Sequence, residues 1–142
     1  MAQNIQPVPK KSYTTKALQN VPTPVIDGSL TDEAWNNVEW TGDYIENLPD
    51  ENTPPIEQTK FKIVYDNEFI YFGFRCYDKN PQEIVKRLSR RDGFEGDWIE
   101  VNISSHNDKL TAFSFAGSVA GVKSDGFISE NGKTWEGNWN PI

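Results

Sequence analysis

Few residues in this sequence could carry catalysis. The chain has one histidine, His106, and one cysteine, Cys76. One histidine leaves little for a metal cluster or a proton relay, and one cysteine excludes an internal disulfide and a cysteine-rich zinc site. Residues 117–121 lack the serine of a G-x-S-x-G elbow, and no glycine-rich phosphate-binding motif occurs. We therefore predict no catalytic residues, because an enzyme built on this chain would have to use carboxylates alone.

Residues 97–104 hold the most informative set of polar side chains. Their alternation predicts a strand with one β-branched face directed to the core, which places Trp98, Glu100 and Asn102 on the other face. An aromatic ring that stacks on a sugar, beside planar groups that bind hydroxyls, is typical of carbohydrate binding. Asp97 and Glu100 face opposite sides of this strand, which is the wrong arrangement for the paired carboxylates of a glycoside hydrolase.

A second predicted strand supplies further candidates. Its outward set is predicted to be Tyr71, Gly73 and Arg75, and Arg75 would widen the same ligand surface. The alternative is structural: Trp98 lies beneath a loop, and the carboxylate of Glu100 pairs with Arg75 or Arg90.

The elements that must position these residues are mostly strands. The 142 residues, 36% hydrophobic and 13% aromatic, suffice for one domain and a tail. Alternating or apolar runs predict strands over 25–28, 60–65, 69–77, 97–104 and 111–117, with Phe113 and Phe115 facing inward. Short helices are predicted over 31–38, capped by Thr31 and burying Trp35 and Val38, and from Asn80 toward residue 91. The pattern predicts a mainly β fold, an antiparallel β-sandwich with one or two short helices.

The charge distribution limits the class of partner. The net charge is −7, which argues against binding of nucleic acid, because phosphate contacts require a basic surface. No apolar run is long enough for a membrane helix, so membrane insertion by this domain is not expected. We expect no cofactor. Calcium held by Asp27, Asp32, Asp66 and Asp78 is the alternative, and turn formation by these aspartates is the favoured interpretation.

The N-terminal residues differ in composition from the rest. Residues 1–22 are predicted to be a flexible lead-in, either mobile or held only by extended contacts, and residues 23–142 are predicted to form the β-sandwich. Ala2 and Gln3 after Met1 are typical of the start of a mature exported chain, which favours an extracytoplasmic location: periplasm, cell surface or medium.

Several motifs, in order along the chain, resemble family 9 carbohydrate-binding-module-like domains. The opening VIDGSLTDEAW (25–35) resembles the family's V-x-I-D-G-x-L-x-D-E-x-W, and VYDNEFIY (64–71) resembles its hairpin, with Asp78 as its closing aspartate. The match continues through RD (91–92), DWIEV (97–101), ND (107–108), FSF (113–115) and GVKSD (121–125). It covers roughly residues 24–142. The form it resembles most stands at the N-terminus of large exported Gram-negative proteins whose later part looks like an outer-membrane β-barrel.

This resemblance implies roles for named residues. Glu100 matches the sugar-binding carboxylate of the family, and Phe94 stands where the first aromatic plate would be. The family's F-R-x-N strand corresponds to Phe113-Ser114-Phe115-Ala116, which lacks the basic and amide groups. The second plate lies beyond the chain's end unless Trp135 or Trp139 replaces it. The family domain usually continues further, so the chain is expected to be a fragment, truncated at its C-terminal end.

Two hypotheses about function follow. The first is a non-catalytic carbohydrate-binding module that attaches a larger exported or membrane-anchored protein to glycan, as in carbohydrate catabolism. The second is a protein-interaction or structural domain of an outer-membrane β-barrel protein, with a vestigial sugar site. A part of a glycoside hydrolase ranks third. The expected partners are an oligosaccharide and a downstream barrel or catalytic domain of the same protein.

Overall fold

A computed structural model describes residues 11–46, 51–93, 95–130 and 134–137. For residues 135–137 only the backbone is described. The chain forms two compact units, Met1–Lys79 and Asn80–Ile142. Each unit carries one sheet, and the described helix content is a single short 3₁₀ helix. Strand pairing is antiparallel except at one edge. This mainly β architecture with two open sheets fits the predicted β-sandwich class.

The first unit contains a three-stranded sheet. Its strands are β1 (Lys16–Ala17), β2 (Thr59–Tyr65) and β3 (Ile70–Cys76), in that spatial order, and β1 runs parallel to β2. The predicted hairpin between β2 and β3 is confirmed. The Asp66 carboxylate closes its turn, since it accepts hydrogen bonds from the N–H groups of Glu68 and Phe69 at 2.7 Å each. These two bonds and the Tyr71 hydroxyl lower the pKa of Asp66.

The core of this unit lies where the 3₁₀ helix Glu33–Asn37 covers the sheet. Trp35, Val38 and Val64 are 3%, 5% and 0% exposed, so the predicted role of Trp35 as a core anchor is confirmed. Gly73 lies directly under the Trp35 ring: a Cβ atom there would stand 3.2 Å from two of its carbons. The prediction that Tyr71 and Gly73 face outward is therefore wrong, because their face of β3 packs against this cluster.

Some local predictions fail for identifiable reasons. Residues 25–28 form no strand, and Val25 and Ile26 are 61% and 79% exposed. Pro22 and Pro24 precede them and lack the N–H groups that a strand ladder requires. Thr31 does not cap the helix: Asp32 occupies the cap position without a capping side-chain bond, and the Thr31 hydroxyl is hydrogen-bonded to that of Ser29 at 2.9 Å.

The predicted helix after Asn80 is reduced to a single turn. The Glu83 N–H donates to the Asn80 carbonyl at 2.8 Å, and no helix follows. Leu88 is 84% exposed, so this segment has no buried apolar face to stabilise further turns. Instead, Lys86 forms an isolated antiparallel bridge with Gly96.

The lead-in is partly structured. Residues 1–10 lie outside the described part, but Lys16 and Ala17 pair with β2. The Tyr13 hydroxyl donates to the Glu39 carbonyl at 2.8 Å, and the Thr15 hydroxyl donates to the Ile63 carbonyl at 2.5 Å. Tyr13 and Leu18 also pack against the core cluster of the first unit. The predicted boundary at residue 22 stays a prediction.

The second unit is a four-stranded antiparallel meander. Its strands are β4 (Trp98–Ile103), β5 (Ala112–Ser118), β6 (Lys123–Ser129) and β7 (Thr134–Gly137), in sequential order. Asp108 closes the β4–β5 turn, since its carboxylate accepts the N–H groups of Leu110 and Thr111 and the Thr111 hydroxyl. These bonds lower the pKa of Asp108 to about 2.

The prediction that Phe115 of β5 faces inward is wrong. Phe115 is 43% exposed, whereas Ser114 beside it is 3% exposed. Ser114 tolerates burial because its hydroxyl has a charged acceptor, the Glu100 carboxylate. At this position of β5 the face that carries Ser114 is therefore covered, and the face that carries Phe115 is open.

Candidate functional site

Strand β4 places the three predicted ligand-binding residues at alternate positions of one face. Trp98 is 51% exposed, Asn102 is exposed, and Glu100 is half-buried. The three residues share a face because side chains two positions apart in a strand project from the same side. In the register with β5, Glu100 stands opposite Ala116, and Asn102 stands opposite Ser114. The structure therefore brings together an exposed indole, a carboxylate and an amide.

The Glu100 carboxylate is oriented by its neighbour strand. Ser114 donates its hydroxyl hydrogen to Glu100 Oε1 at 2.7 Å. No described cation of the second unit lies within 4.0 Å of this carboxylate, so the alternative pairing with Arg90 does not form. A carboxylate that is fixed at one oxygen and is not paired with a described cation of its own unit is suited to accept hydroxyl hydrogens from a ligand.

The loop before β4 is anchored by a contact that sequence reasoning did not assign. The Arg91 guanidinium pairs with the Asp125 carboxylate, which is 9% exposed. Asp92 adds two contacts to β6: its N–H donates to the Lys123 carbonyl, and its carboxylate accepts the Asp125 N–H, both at 3.3 Å. The residues of this contact belong to the RD (91–92) and GVKSD (121–125) motifs. Arg91 and Asp125 are more than thirty residues apart in the sequence, and the fold brings them together. This network fixes the segment that leads into β4.

The structure does not test the remaining predicted site residues at this strand. Phe94 and Trp139 lie outside the described residues. Trp135 belongs to β7, where only its backbone is described, and it pairs with Ile128 of β6. Arg75 belongs to the first unit, where its Cζ lies 4.7 Å from the centre of the Trp40 ring. The wider ligand surface therefore stays a prediction.

A family comparison decides how this geometry is to be understood. The family model for a carbohydrate family 9 binding domain-like domain matches residues 26–131, well over half of the chain. The chain belongs to this family. No curated protein and no solved structure matches the chain significantly. The resemblance predicted from the motifs is confirmed at the level of the family, and it indicates a carbohydrate-binding domain of a type that is usually exported.

The family 9-like chain also has a groove that the sequence did not reveal. It lies in the first unit, encloses about 1190 Å³, and is lined in part by Lys11, Tyr13, Trp40, Tyr44 and Phe61. The ring of Phe61 packs against those of Tyr13 and Tyr44, with centroids 5.4 and 6.0 Å apart. Burial, and then the neighbouring Tyr13, raise the pKa of Tyr44. Because these rings pack against one another, the floor of the groove is part of the packing of the first unit.

The described residues show no arrangement suited to a metal. No group of three or more histidine, cysteine or acidic side chains among them is placed to hold an ion. The side chain of Asp27 accepts the Ser29 N–H at 2.7 Å, and that of Asp66 closes its hairpin turn, as expected for turn-forming aspartates. The expectation of no cofactor stays a prediction. Among the described residues, no helix is long and apolar enough to cross a bilayer.

Proposed function

We propose that this family 9-like domain is a non-catalytic carbohydrate-binding module whose contact face on β4 is formed by Trp98, Glu100 and Asn102. The observation that carries the proposal is the position of an indole, 51% exposed, on the same strand face as a carboxylate that Ser114 orients. An exposed tryptophan of this kind is suited to a ligand with an apolar face.

Each of the three side chains has a separate task in binding a sugar. The indole of Trp98 stacks on the C–H face of a pyranose, and that contact removes apolar surface from water on both partners. Glu100 accepts hydrogen bonds from one or two hydroxyls, and Asn102 supplies both a donor and an acceptor. From the family resemblance, Phe94, Trp135 and Trp139 are proposed as the aromatic boundary of the site.

The face binds and performs no hydrolysis. Asp97 immediately precedes β4, three positions from Glu100, so the two carboxylates do not share a face. A glycosidase needs two carboxyl groups on either side of one bond. The proposed task is to hold a larger exported protein, an outer-membrane one in the Gram-negative setting, on its glycan and so to raise the local concentration of substrate.

A second candidate function is supported by one departure from the family pattern. Ser114 and Ala116 stand where the sugar-contacting basic and amide groups are expected, and Ser114 is instead committed to Glu100. A domain that has lost these groups could dock on another protein, with the sugar site as a remnant. Glycan binding separates the two candidates, because the interaction domain is expected to bind no glycan.

The experiment is a glycan array followed by titration of a bound oligosaccharide into single variants. Glu100→Gln is expected to weaken binding by about 1–3 kcal/mol, because a charge-assisted hydrogen bond is lost. Trp98→Ala is expected to weaken binding by a similar amount without lowering the melting temperature. Glu68→Gln, at an exposed glutamate of the β2–β3 turn, is the matched control. No binding to any glycan, or full binding by both site variants, would refute this assignment.

A further inference from the structure

Two basic residues occupy directly opposite positions in the sheet of the first unit. In the register between β2 and β3, Lys60 stands directly opposite Arg75. Lys62 lies two residues from Lys60 on the same face of β2. Like charges placed directly opposite in a sheet destabilise it. Lys60, Lys62 and Arg75 together are called the cationic patch below.

No carboxylate of the described residues offsets these charges. The ion pairs that the structure describes involve Lys79, Arg87 and Arg91, and none involves the cationic patch. The chain is not short of acids, since it has 21 acidic residues against 14 basic ones. Three neighbouring basic residues that form no ion pair with a described carboxylate, in so acidic a chain, are suited to an anion from outside.

The patch is held in place by aromatic rings and backbone. The Arg75 guanidinium lies 4.7 Å from the centre of the Trp40 ring, and the Lys62 ammonium lies 5.0 Å from it. Lys62 also donates to the Trp35 carbonyl at 2.6 Å. The Lys60 ammonium lies 6.0 Å from the Tyr77 ring. Cation–π contacts keep these side chains ordered before any ligand arrives, which lowers the entropy cost of binding.

We propose that the cationic patch binds the carboxylate groups of an acidic saccharide, a glycan that contains hexuronic acid. The planar guanidinium of Arg75 matches a carboxylate with two parallel hydrogen bonds, and the lysines supply further donors. Tyr77, 44% exposed beside Lys60, offers a ring for the sugar's C–H face. The proposal rests on the carbohydrate-binding function proposed above and names a ligand class for a second surface.

The test compares an oligogalacturonate with a neutral galacto-oligosaccharide of the same length, by calorimetry and by the NMR signal of the Trp40 indole. Only the acidic sugar is expected to shift that signal, and its affinity is expected to fall with added salt. The double variant Lys60→Gln/Arg75→Gln is expected to weaken the acidic sugar about tenfold or more. Lys79→Gln, which removes an exposed lysine outside the patch, is the matched control and is expected to change nothing.

Other outcomes overturn the proposal. Equal shifts of the Trp40 signal by both sugars would show that charge is not recognised. An unaffected double variant would place binding elsewhere. Tighter binding of a sulfated galacto-oligosaccharide would reject the carboxylate, and equal binding of inorganic sulfate would show a general anion site. Glu100→Gln separates the two proposals: it is expected to weaken neutral sugar at β4 and to leave oligogalacturonate binding at the patch unchanged.

A charge reversal provides an independent measurement. Lys60→Glu converts the repulsive pair with Arg75 into an attractive one, so the melting temperature is expected to rise while oligogalacturonate binding is lost. A lower melting temperature would show that the native arrangement holds no repulsion to relieve, and would overturn the argument from unpaired charge.

Discussion

The ion pair between Arg91 and Asp125 leads to an asymmetric prediction about stability. The Asp125 side chain is 9% exposed and that of Arg91 is 55% exposed. Arg91→Gln would leave a buried carboxylate without its cation, whereas Asp125→Asn would leave a guanidinium that water already reaches. Loss of one partner costs most when the remaining charge is buried. We therefore expect Arg91→Gln to destabilise the domain more than Asp125→Asn.

The magnitude follows from the exposure of the pair. Breaking a fully buried pair costs about 3–5 kcal/mol, and an exposed pair contributes about 0–1 kcal/mol. Because Arg91 is half in water, we expect about 2 kcal/mol for Arg91→Gln and about 1 kcal/mol for Asp125→Asn. The double variant is expected to cost less than the sum, since it leaves no unpaired charge.

The assay is urea unfolding followed by tryptophan fluorescence. Arg87→Gln is the control, because Arg87 and Glu95 form a pair whose side chains are 71% and 64% exposed. Its effect is expected to stay within about 0.5 kcal/mol. A cost for Asp125→Asn that equals or exceeds the cost for Arg91→Gln would refute the reasoning from exposure.

Two further predictions concern the turn and the core. Because the pKa of Asp108 is lowered in the folded state, its carboxylate stabilises the fold fully above the unfolded pKa of about 3.9, and this stabilisation is lost as pH falls toward about 2. The difference in melting temperature between the wild type and Asp108→Asn should therefore shrink over that range. A constant difference would contradict the prediction. Gly73→Ala is expected to destabilise by about 1–3 kcal/mol through overpacking, since its Cβ would lie 2.8 Å from Leu30 Cδ2 and 3.2 Å from the Trp35 ring; unchanged unfolding in urea would contradict it.

The strands were predictable because their signal is local. Alternation over residues 60–65 and 97–104 identified β2 and β4, and the Asp66 turn identified the hairpin between β2 and β3. The helix from Asn80 was not predictable in the same way. Its capping residues form the first turn, but continued helix depends on packing that a local pattern does not report.

The candidate site, too, was predictable only where its sequence signal is local. Alternation places Trp98, Glu100 and Asn102 on one face, so that grouping follows from sequence. The partner of Glu100 depends on the register between two strands, and neither strand alone specifies that Ser114 reaches it. The cationic patch was missed for the same reason: Lys60 and Arg75 are unremarkable apart, and only the register of β2 with β3 makes them face each other.

The two proposed surfaces share a property that distinguishes them from the core. Trp35 and Val64 are buried, and removing either would cost stability through a cavity. Lys60 stands opposite a like charge, so the fold gains little or loses stability by keeping it, and Trp98 leaves about half of its surface in water. Side chains whose replacement leaves stability unchanged or improves it are those whose presence needs another explanation, and a ligand supplies it. For Trp98 and Lys60, melting temperature and binding should therefore change independently or in opposite directions.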